Sequence, residues 1–200
     1  NYLIAVGSYA SATVIVWEMY TGDIAASYRY PTSSSPVDVL YPIVDHEHDQ
    51  DVRFLSIGRR SIQEWEMTFN MEGERALECN SIFDLPGIDT NNVASEYFTS
   101  ISIDEDHDGE STVVVGGSSG MCWMFIGSRY DVSDTRSRLK LRMIGSWQGL
   151  DGTIDHIECH CASETVVVAG VSPYLQLWSA SNELQPTLLK RLRIDGHVIS

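Results

Sequence analysis

The fold is decided by residues 112–125, TVVVGGSSGMCWMF. A β-branched run ends at Gly117, a short turn follows, and a second apolar run ends on the aromatic Phe125. Three consecutive valines, in place of alternating apolar and polar residues, are typical of a strand that is covered on both faces. A glycine at the end of such a run allows the chain to turn sharply. This stretch therefore predicts a β-hairpin inside a buried sheet.

The same pattern occurs four times along the chain, with the closing aromatic residues at intervals of 48, 60 and 53 residues. Repetition of one supersecondary unit is the signature of a repeat architecture. We expect these residues to hold structural positions, the aromatic ones as packed core. The glycine and aromatic pairs are Gly7 and Trp17, Gly58 and Trp65, Gly117 and Phe125, and Gly170 and Trp178.

Further strand-like runs flank each pair. The predicted inner strands cover 37–44, 97–104 and 154–161, and the predicted outer strands cover 24–30, 76–83, 139–147 and 187–194. Four antiparallel strands per repeat make a propeller blade. We therefore predict one all-β domain over residues 1–200, a partial β-propeller of about four four-stranded blades in a longer polypeptide, with the inner strand of the first blade missing. The expected blades span 1–30, 36–83, 97–147 and 154–194, and 195–200 would begin a further blade.

The repeats resemble WD repeats, in which Trp-Asp closes the third strand and Gly-His opens the blade. Only one Gly-His pair occurs, at Gly196-His197, and the buried Trp–Ser–His–Asp hydrogen-bond set of the WD motif cannot be assembled in full in any repeat. The resemblance implies a WD-like propeller with degenerate repeats. The positions of Trp-Asp hold Trp17-Glu18, Trp65-Glu66, Phe125-Ile126 and Trp178-Ser179.

The first two repeats resemble a narrower family. Residues 5–23, AVGSYASATVIVWEMYTGD, and 54–65, FLSIGRRSIQEW, are similar to the tandem propeller of echinoderm microtubule-associated-protein-like proteins and to WD-repeat proteins of the ciliary axoneme. The resemblance covers about 70 residues and includes a long and then a short spacing from glycine to tryptophan. It implies a scaffold on or inside microtubule structures, with tubulin or microtubule-associated proteins as partners.

The charge balance excludes several classes of partner. The chain has 13 basic and 28 acidic residues, and its formal net charge is −15. Such a chain repels a phosphate backbone, so we expect no nucleic-acid partner. An anionic membrane surface is disfavoured for the same reason, and no apolar run approaches the roughly 20 residues of a membrane span.

Tubulin is also acidic, so direct contact with it would need local positive charge. Two basic stretches could supply that charge, but charge runs are more often solvated faces of outer strands. Other proteins could instead mediate the contact. The basic residues are Arg129, Arg136, Arg138, Lys140 and Arg142 in one stretch and Lys190, Arg191 and Arg193 in the other.

The segment Asp104-Glu105-Asp106-His107-Asp108-Gly109 begins like a calcium loop, with Asp104, Asp106 and Asp108 as candidate ligands. Alternate carboxylates can converge on one cation while glycine permits a tight turn. The acids that would complete such a loop are missing, because Thr112 and Val115 stand at positions 9 and 12. The alternative interpretation is an acidic exposed hairpin.

Two other clusters contain metal-ligating residue types. His156, Glu158 and His160 share one face of a predicted strand and Cys159 and Cys161 the other, but the two histidines lie about 13 Å apart at ~3.3 Å per residue, which favours a polar strand over a zinc site. The second cluster, residues 45–49 (DHEHD), is interpreted as a polar hairpin loop before a ligand set.

No sequence motif for catalysis is present, and we expect neither an enzyme nor a cofactor. The predicted function is a protein-interaction scaffold in a multi-subunit assembly, with a microtubule or axonemal setting favoured. The alternatives are a general WD adaptor in trafficking or ubiquitin-ligase assembly, and a calcium-regulated propeller.

Four cysteines without a C-x-x-C pair suggest a reducing compartment, so we expect the cytoplasm and cytoskeleton, with the cilium or flagellum favoured. The candidate contact segments are 31–36, 70–75, 84–96 and 128–138.

Overall fold

The computed structural model describes residues 1–7, 13–29, 37–43, 52–58, 60–69, 71–85, 96–105, 110–132, 136–181 and 185–194, with the side chains of 37–43 and 129–138 left undescribed. Within these ranges the chain forms fifteen β-strands, one short 3-10 turn and no α-helix. None of the described residues belongs to a helix that could span a membrane. The chain divides into two compact units, Asn1–Asp84 and Leu85–Ser200, and each contains two sheets.

The first unit holds a three-stranded and a four-stranded antiparallel sheet, and in both the strands lie in chain order. The three-stranded sheet consists of β1 (Tyr2–Val6), β2 (Thr13–Glu18) and β3 (Ile24–Arg29). The four-stranded sheet consists of β4 (Val37–Ile43), β5 (Arg53–Gly58), β6 (Ser61–Phe69) and β7 (Arg75–Asp84). Each strand pairs with the next one along the chain, because antiparallel strands can be joined by short connections.

A hydrophobic cluster joins the two sheets of this unit. Trp65 is fully buried at its centre, with its ring stacked on Phe54 at 5.6 Å and met edge-on by Tyr28 at 5.2 Å between ring centroids. Aromatic pairs at these distances stabilise a core beyond their buried area. The other buried members of the cluster are Val14, Val16, Ala26, Met67 and Leu77.

The second unit holds two four-stranded antiparallel sheets, again with the strands in chain order. One sheet consists of β8 (Phe98–Glu105), β9 (Ser111–Gly117), β10 (Met121–Val132) and β11 (Arg136–Gln148). The other consists of β12 (Ile154–His160), β13 (Thr165–Gly170), β14 (Tyr174–Ser179) and β15 (Thr187–Arg193). The 3-10 turn, Cys161–Ser163, follows β12.

Apolar residues of both sheets form the core of the second unit. Val113, Val114 and Val115 on β9 are all fully buried, which agrees with the interpretation of the valine run. The rings of Trp147 and Trp178, from different sheets, lie 6.1 Å apart. The buried members of the cluster that joins the sheets are Val114, Cys122, Met124, Trp147, Leu150, Ile154, Ile157, Cys159, Val166 and Val168.

The predicted all-β fold of repeated antiparallel sheets is confirmed, and the first sheet has three strands. Several strand ends differ from the expected ones, and two of these differences bear on the candidate site and on a candidate contact segment. The strand expected over 154–161 ends at His160, because the chain turns into the 3-10 segment. In addition, β10 and β11 stay paired from Ser128 opposite Lys140 to Val132 opposite Arg136, so much of the expected insertion 128–138 is a two-stranded hairpin.

Candidate functional site

A row of polar side chains on β8 connects this strand to β12 of the neighbouring sheet. Ser100, Ser102 and Asp104 lie at alternate positions, so they share one face of the strand. They form hydrogen bonds with backbone groups of β12 and of the turn after it, and a buried backbone group that lacks such a bond is costly. Ser100 Oγ donates to the Ile154 carbonyl (3.3 Å), and Ser102 Oγ and Asp104 Oδ2 accept from the backbone N–H groups of Cys159 (3.1 Å) and Cys161 (2.6 Å).

Both carboxylate oxygens of Asp104 accept hydrogen bonds from backbone N–H groups, Oδ2 from Cys161 and Oδ1 from Glu105 at 3.0 Å. Asp104 therefore stabilises the junction between β8 and the turn after β12. The other candidate calcium ligands, Asp106 and Asp108, lie outside the described residues. The calcium loop stays a prediction, and one of its three carboxylates already has a structural role.

The thiols of Cys159 and Cys161 lie at the same junction. Cys159 Sγ is 3.4 Å from Ser102 Oγ and donates to the Thr112 carbonyl at 3.7 Å, and Cys161 Sγ donates to the Asp104 carbonyl at 3.5 Å. Burial raises the pKa of Cys159 to about 12, and burial also raises the pKa of Cys161. Both thiols are therefore protonated near neutral pH, and a protonated thiol is a poor nucleophile and a poor metal ligand.

The histidines of β12 point away from this junction. His156, Glu158 and His160 are exposed, and His160 Nδ1 lies 2.7 Å from Ser163 Oγ in the following turn. Among the described residues, no group of three or more His, Cys, Asp or Glu side chains is arranged to hold a metal ion. Residues 45–49 of the second predicted cluster lie outside the described part of the chain.

A groove lies between the two sheets of the second unit, beside the turn that follows β12; we call it the β12 groove. Its cavity volume is about 230 Å³. Its rim carries the exposed side chains of Glu110, His160, Glu164 and Ser181, and no Lys or Arg is among the described residues that line it. The rest of the lining is mixed and includes Thr112, Cys159, Cys161 and Thr165 beside five apolar side chains. We call these five the floor: Met124, Ile126, Ile144, Val166 and Ala180.

Glu164 occupies the rim in an unusual backbone conformation. Its φ of 49° and ψ of 43° lie in the left-handed region, which glycine and asparagine adopt more readily than glutamate. Its N–H donates to the Cys161 carbonyl (2.9 Å), and its own carbonyl accepts from the Ala180 N–H (2.7 Å). The Glu164 carboxylate makes no hydrogen bond or ion pair with another described residue, so it is available to a ligand.

The closing aromatic residues are parts of the core, fully buried at Trp65 and Phe125 and partly buried at Trp17 and Trp178. Trp65 Nε1 donates to Ser56 Oγ at 2.8 Å, which is the Trp–Ser part of the WD hydrogen-bond set.

Two of the repeat glycines have little room for a side chain. A Cβ on Gly170 would collide with the Thr153 carbonyl oxygen, and a Cβ on Gly117 would lie 2.6 Å from the indole of Trp123. Gly58 is buried at the end of β5, and Gly7 donates its N–H to the Thr13 carbonyl at 2.8 Å.

The described cations of the two basic stretches lie on the outer strands β11 and β15. Lys140, Arg142, Lys190, Arg191 and Arg193 are all exposed, as solvated outer-strand faces would be. Arg191 is held with its guanidinium 4.8 Å from the centroid of the Tyr174 ring. The side chains of Arg129, Arg136 and Arg138 lie outside the described part.

The candidate contact segments are only partly described. Of 70–75, residues 71–75 are described, and Met71 is fully exposed. Of 84–96, only residues 84, 85 and 96 are described, and segment 31–36 lies outside the description.

The groove and its two acidic rim residues, Glu110 and Glu164, have no signature in the sequence. The two residues are 54 positions apart, and no local motif connects them. The row of polar residues on β8 can be recognised in the sequence, because Ser100, Ser102 and Asp104 alternate with isoleucines in a predicted inner strand. Alternation predicts a polar face, but it does not identify the strand that this face meets.

No protein-family model and no curated protein matches the chain. Solved structures do match it. The chain is similar to the β-propeller domain of Cps50 (Swd1) from Myceliophteria thermophila, with 14% identity, a TM-score of 0.57, and coverage of 96% of this chain and 56% of that one. It is also similar to the WD40 repeats of RRP9, with 14% identity, a TM-score of 0.59, and coverage of 98% and 52%.

The chain thus spans little more than half the length of these two structures. At such low identity the likeness shows the fold alone. The four antiparallel sheets are blades of a WD-like β-propeller, as the repeat pattern predicts.

Proposed function

We propose that this chain is part of a non-catalytic scaffold that binds other proteins in a multi-subunit assembly. The observation that carries the proposal is the β12 groove, an apolar floor with a charged rim held between two blades. Its thiols, Cys159 and Cys161, have raised pKa values, so they are suited to packing and not to nucleophilic attack.

The scaffold acts by geometry. The polar row on β8 and the buried cluster between the sheets hold the two blades of the second unit in one arrangement. Rigid blades present loops and grooves at constant positions, so that a partner can be bound without reorganisation of the scaffold.

The test uses the full-length protein purified with its associated subunits. Native mass measurement should show a complex of fixed stoichiometry. A carbodiimide, which joins a carboxylate directly to a neighbouring lysine, should link exposed acidic residues of this chain to another subunit, with Glu164 among them. A protein that remains a monomer without intermolecular cross-links at cellular concentration would contradict the proposal, and so would turnover of a substrate.

The finer proposal is a cytoplasmic, cytoskeletal setting, with a microtubule or ciliary axoneme assembly favoured. It depends on the resemblance to microtubule-associated and axonemal WD-repeat proteins that the sequence pattern of residues 5–23 and 54–65 suggests. A general adaptor in a cytosolic complex is the alternative. Imaging of the tagged full-length protein distinguishes them, because an axonemal or microtubule pattern supports the first and diffuse cytosol the second.

A calcium-regulated propeller is the third possibility, and it depends on the acidic loop after β8. Calorimetric titration of the full-length protein with Ca²⁺ tests it. Measurable binding that the Asp106→Ala variant abolishes would support this function over a plain scaffold. Binding that survives the substitution, or no heat at all, would count against it.

A further inference from the structure

We propose that the β12 groove binds an extended peptide segment that presents an aliphatic side chain between lysine or arginine residues. This inference rests on the proposed scaffold function and adds the place and the chemistry of one partner.

The size of the groove favours side chains of a peptide over a small-molecule ligand. Its volume of about 230 Å³ is below the roughly 300–1,000 Å³ of typical small-molecule sites, and it has room for one or two aliphatic side chains. In the floor, Met124 and Val166 are buried, whereas Ile126, Ile144 and Ala180 are only partly buried. An aliphatic side chain placed there would remove this remaining apolar surface from water, which is favourable.

The position of the groove favours an extended segment. Its lining comes from successive strands of both sheets, from Glu110 and Thr112 at the start of β9 to Ala180 and Ser181 after β14. The groove therefore runs along the seam between two blades. A chain lying along the seam can place one side chain on the floor and its neighbours against the rim, because successive side chains of an extended peptide alternate in direction.

The charge of the rim selects a cationic partner. Glu110 and Glu164 are exposed on the rim, no lysine or arginine is among its described residues, and the chain as a whole carries −15. Lysine or arginine beside the aliphatic anchor would be attracted to the Glu164 carboxylate, and an acidic peptide would be repelled.

Glu164 allows this role to be separated from a structural one. Its carboxylate has no partner among the described residues, and its left-handed backbone would suit glycine better. If Glu164 only supported the fold, Glu164→Gly would lower the melting temperature. If Glu164 recognises a cation, the same variant should bind the peptide more weakly while its melting temperature stays unchanged or rises by about 2–4 °C.

The experiment measures binding of a fluorescein-labelled heptapeptide, Lys-Val-Lys-Leu-Lys-Val-Lys, to the full-length protein by fluorescence anisotropy. We expect saturable binding that weakens with added salt, and no binding of the peptide with glutamate in place of lysine. Glu164→Gly should weaken binding about two- to fivefold, as an exposed ion pair would. Ala180→Leu, which fills the floor, should weaken binding further.

The matched control is Asp151→Asn. Asp151 is an exposed acidic residue in the loop before β12, at the opposite end of that strand from the groove, so its substitution should leave the affinity unchanged. Equal binding of the lysine and glutamate peptides would overturn the inference, and so would full affinity in Ala180→Leu. If the lysine peptide does not bind although the protein still cross-links to its subunits, the inference fails and the scaffold function stands.

Discussion

The indole N–H of Trp65 has an acceptor inside the core, and that of Trp178 does not. In the second blade, Ser56 lies opposite Gln63 and accepts from Trp65. In the fourth blade the corresponding position, opposite Gln176, is Val168, and Trp178 Nε1 is buried without a partner among the described residues. A valine side chain offers no acceptor, so the indole N–H of Trp178 is left without one in this blade.

Ser56→Ala should destabilise the fold by about 1–3 kcal/mol, because it leaves a buried Trp65 N–H without an acceptor. Urea unfolding of the full-length protein measures this effect. In a Trp65→Phe background the donor is gone, so the same substitution should cost clearly less. Equal costs in both backgrounds would show that the hydrogen bond does not stabilise the protein.

Val168→Thr should lower the unfolding free energy less than the matched substitution Val115→Thr. The hydroxyl that Val168→Thr introduces can accept a hydrogen bond from the indole N–H of Trp178. Val115 occupies the corresponding position in the third blade, where the closing aromatic is Phe125, which has no N–H. Both valines are fully buried. We expect the difference between the two losses in unfolding free energy to be about 1 kcal/mol, measured by urea unfolding. A Val168→Thr variant at least as destabilised as Val115→Thr would contradict this account.

Among the elements, three of the four outer strands have an irregularity at the same place. The pairing register shifts immediately before Trp17, Phe125 and Trp178, and in the second blade it shifts between Ile62 and Gln63. Such bulges bend a strand and increase its twist. Because the bulge lies beside the closing aromatic residue in the first, third and fourth blades, these three repeats are equivalent in structure as well as in sequence.

The polar row between β8 and β12 predicts unequal effects of two similar substitutions. Ser102→Ala removes the acceptor of the buried Cys159 N–H and should cost about 1–3 kcal/mol. Ser100→Ala should cost less, because the Ile154 carbonyl still accepts from Thr99 Oγ1. Urea unfolding of both variants measures the two losses in unfolding free energy. A larger loss for Ser100→Ala would show that these hydrogen bonds do not determine the stability of the contact between β8 and β12.

For the molecule as a whole, buried thiols predict instability in alkali. Burial raises the pKa of Cys159 from 9.0 to about 12 and also raises the pKa of Cys122. Because the folded pKa exceeds the unfolded one, each thiol stabilises the fold fully below pH 9, and this contribution is lost as the pH rises from 9 towards the folded value. The loss is at most about 1.4 kcal/mol per pH unit and thiol.

Unfolding free energies at pH 8, 9 and 10 should therefore fall more steeply for the wild-type protein than for Cys122→Ala, which lacks one of these thiols. We compare the slope of the unfolding free energy against pH between pH 9 and 10. Cys122→Ala also removes packing in the core, but that loss is the same at every pH and does not change the slope. Parallel profiles would show that ionisation of Cys122 does not contribute.

Particular residues show how far sequence analysis reached. The valine run 112–115 and the spacing of Trp17, Trp65, Phe125 and Trp178 predicted the strands, because strand formation depends on local composition and alternation. The strand end at Cys161 was misplaced, since that residue stops pairing where its N–H turns to Asp104 on another sheet.

The amino-acid sequence by itself determined the repeat, the strand order and the buried faces, because each follows from periodicity within about 60 residues. Only the tertiary structure decided that Asp104 joins two blades, that Trp178 lacks an acceptor, and that Glu110 and Glu164 share one rim. These features depend on contacts between sheets. Contacts between two sheets depend on how the side chains of both sheets pack together, so they cannot be predicted from the local pattern of either strand.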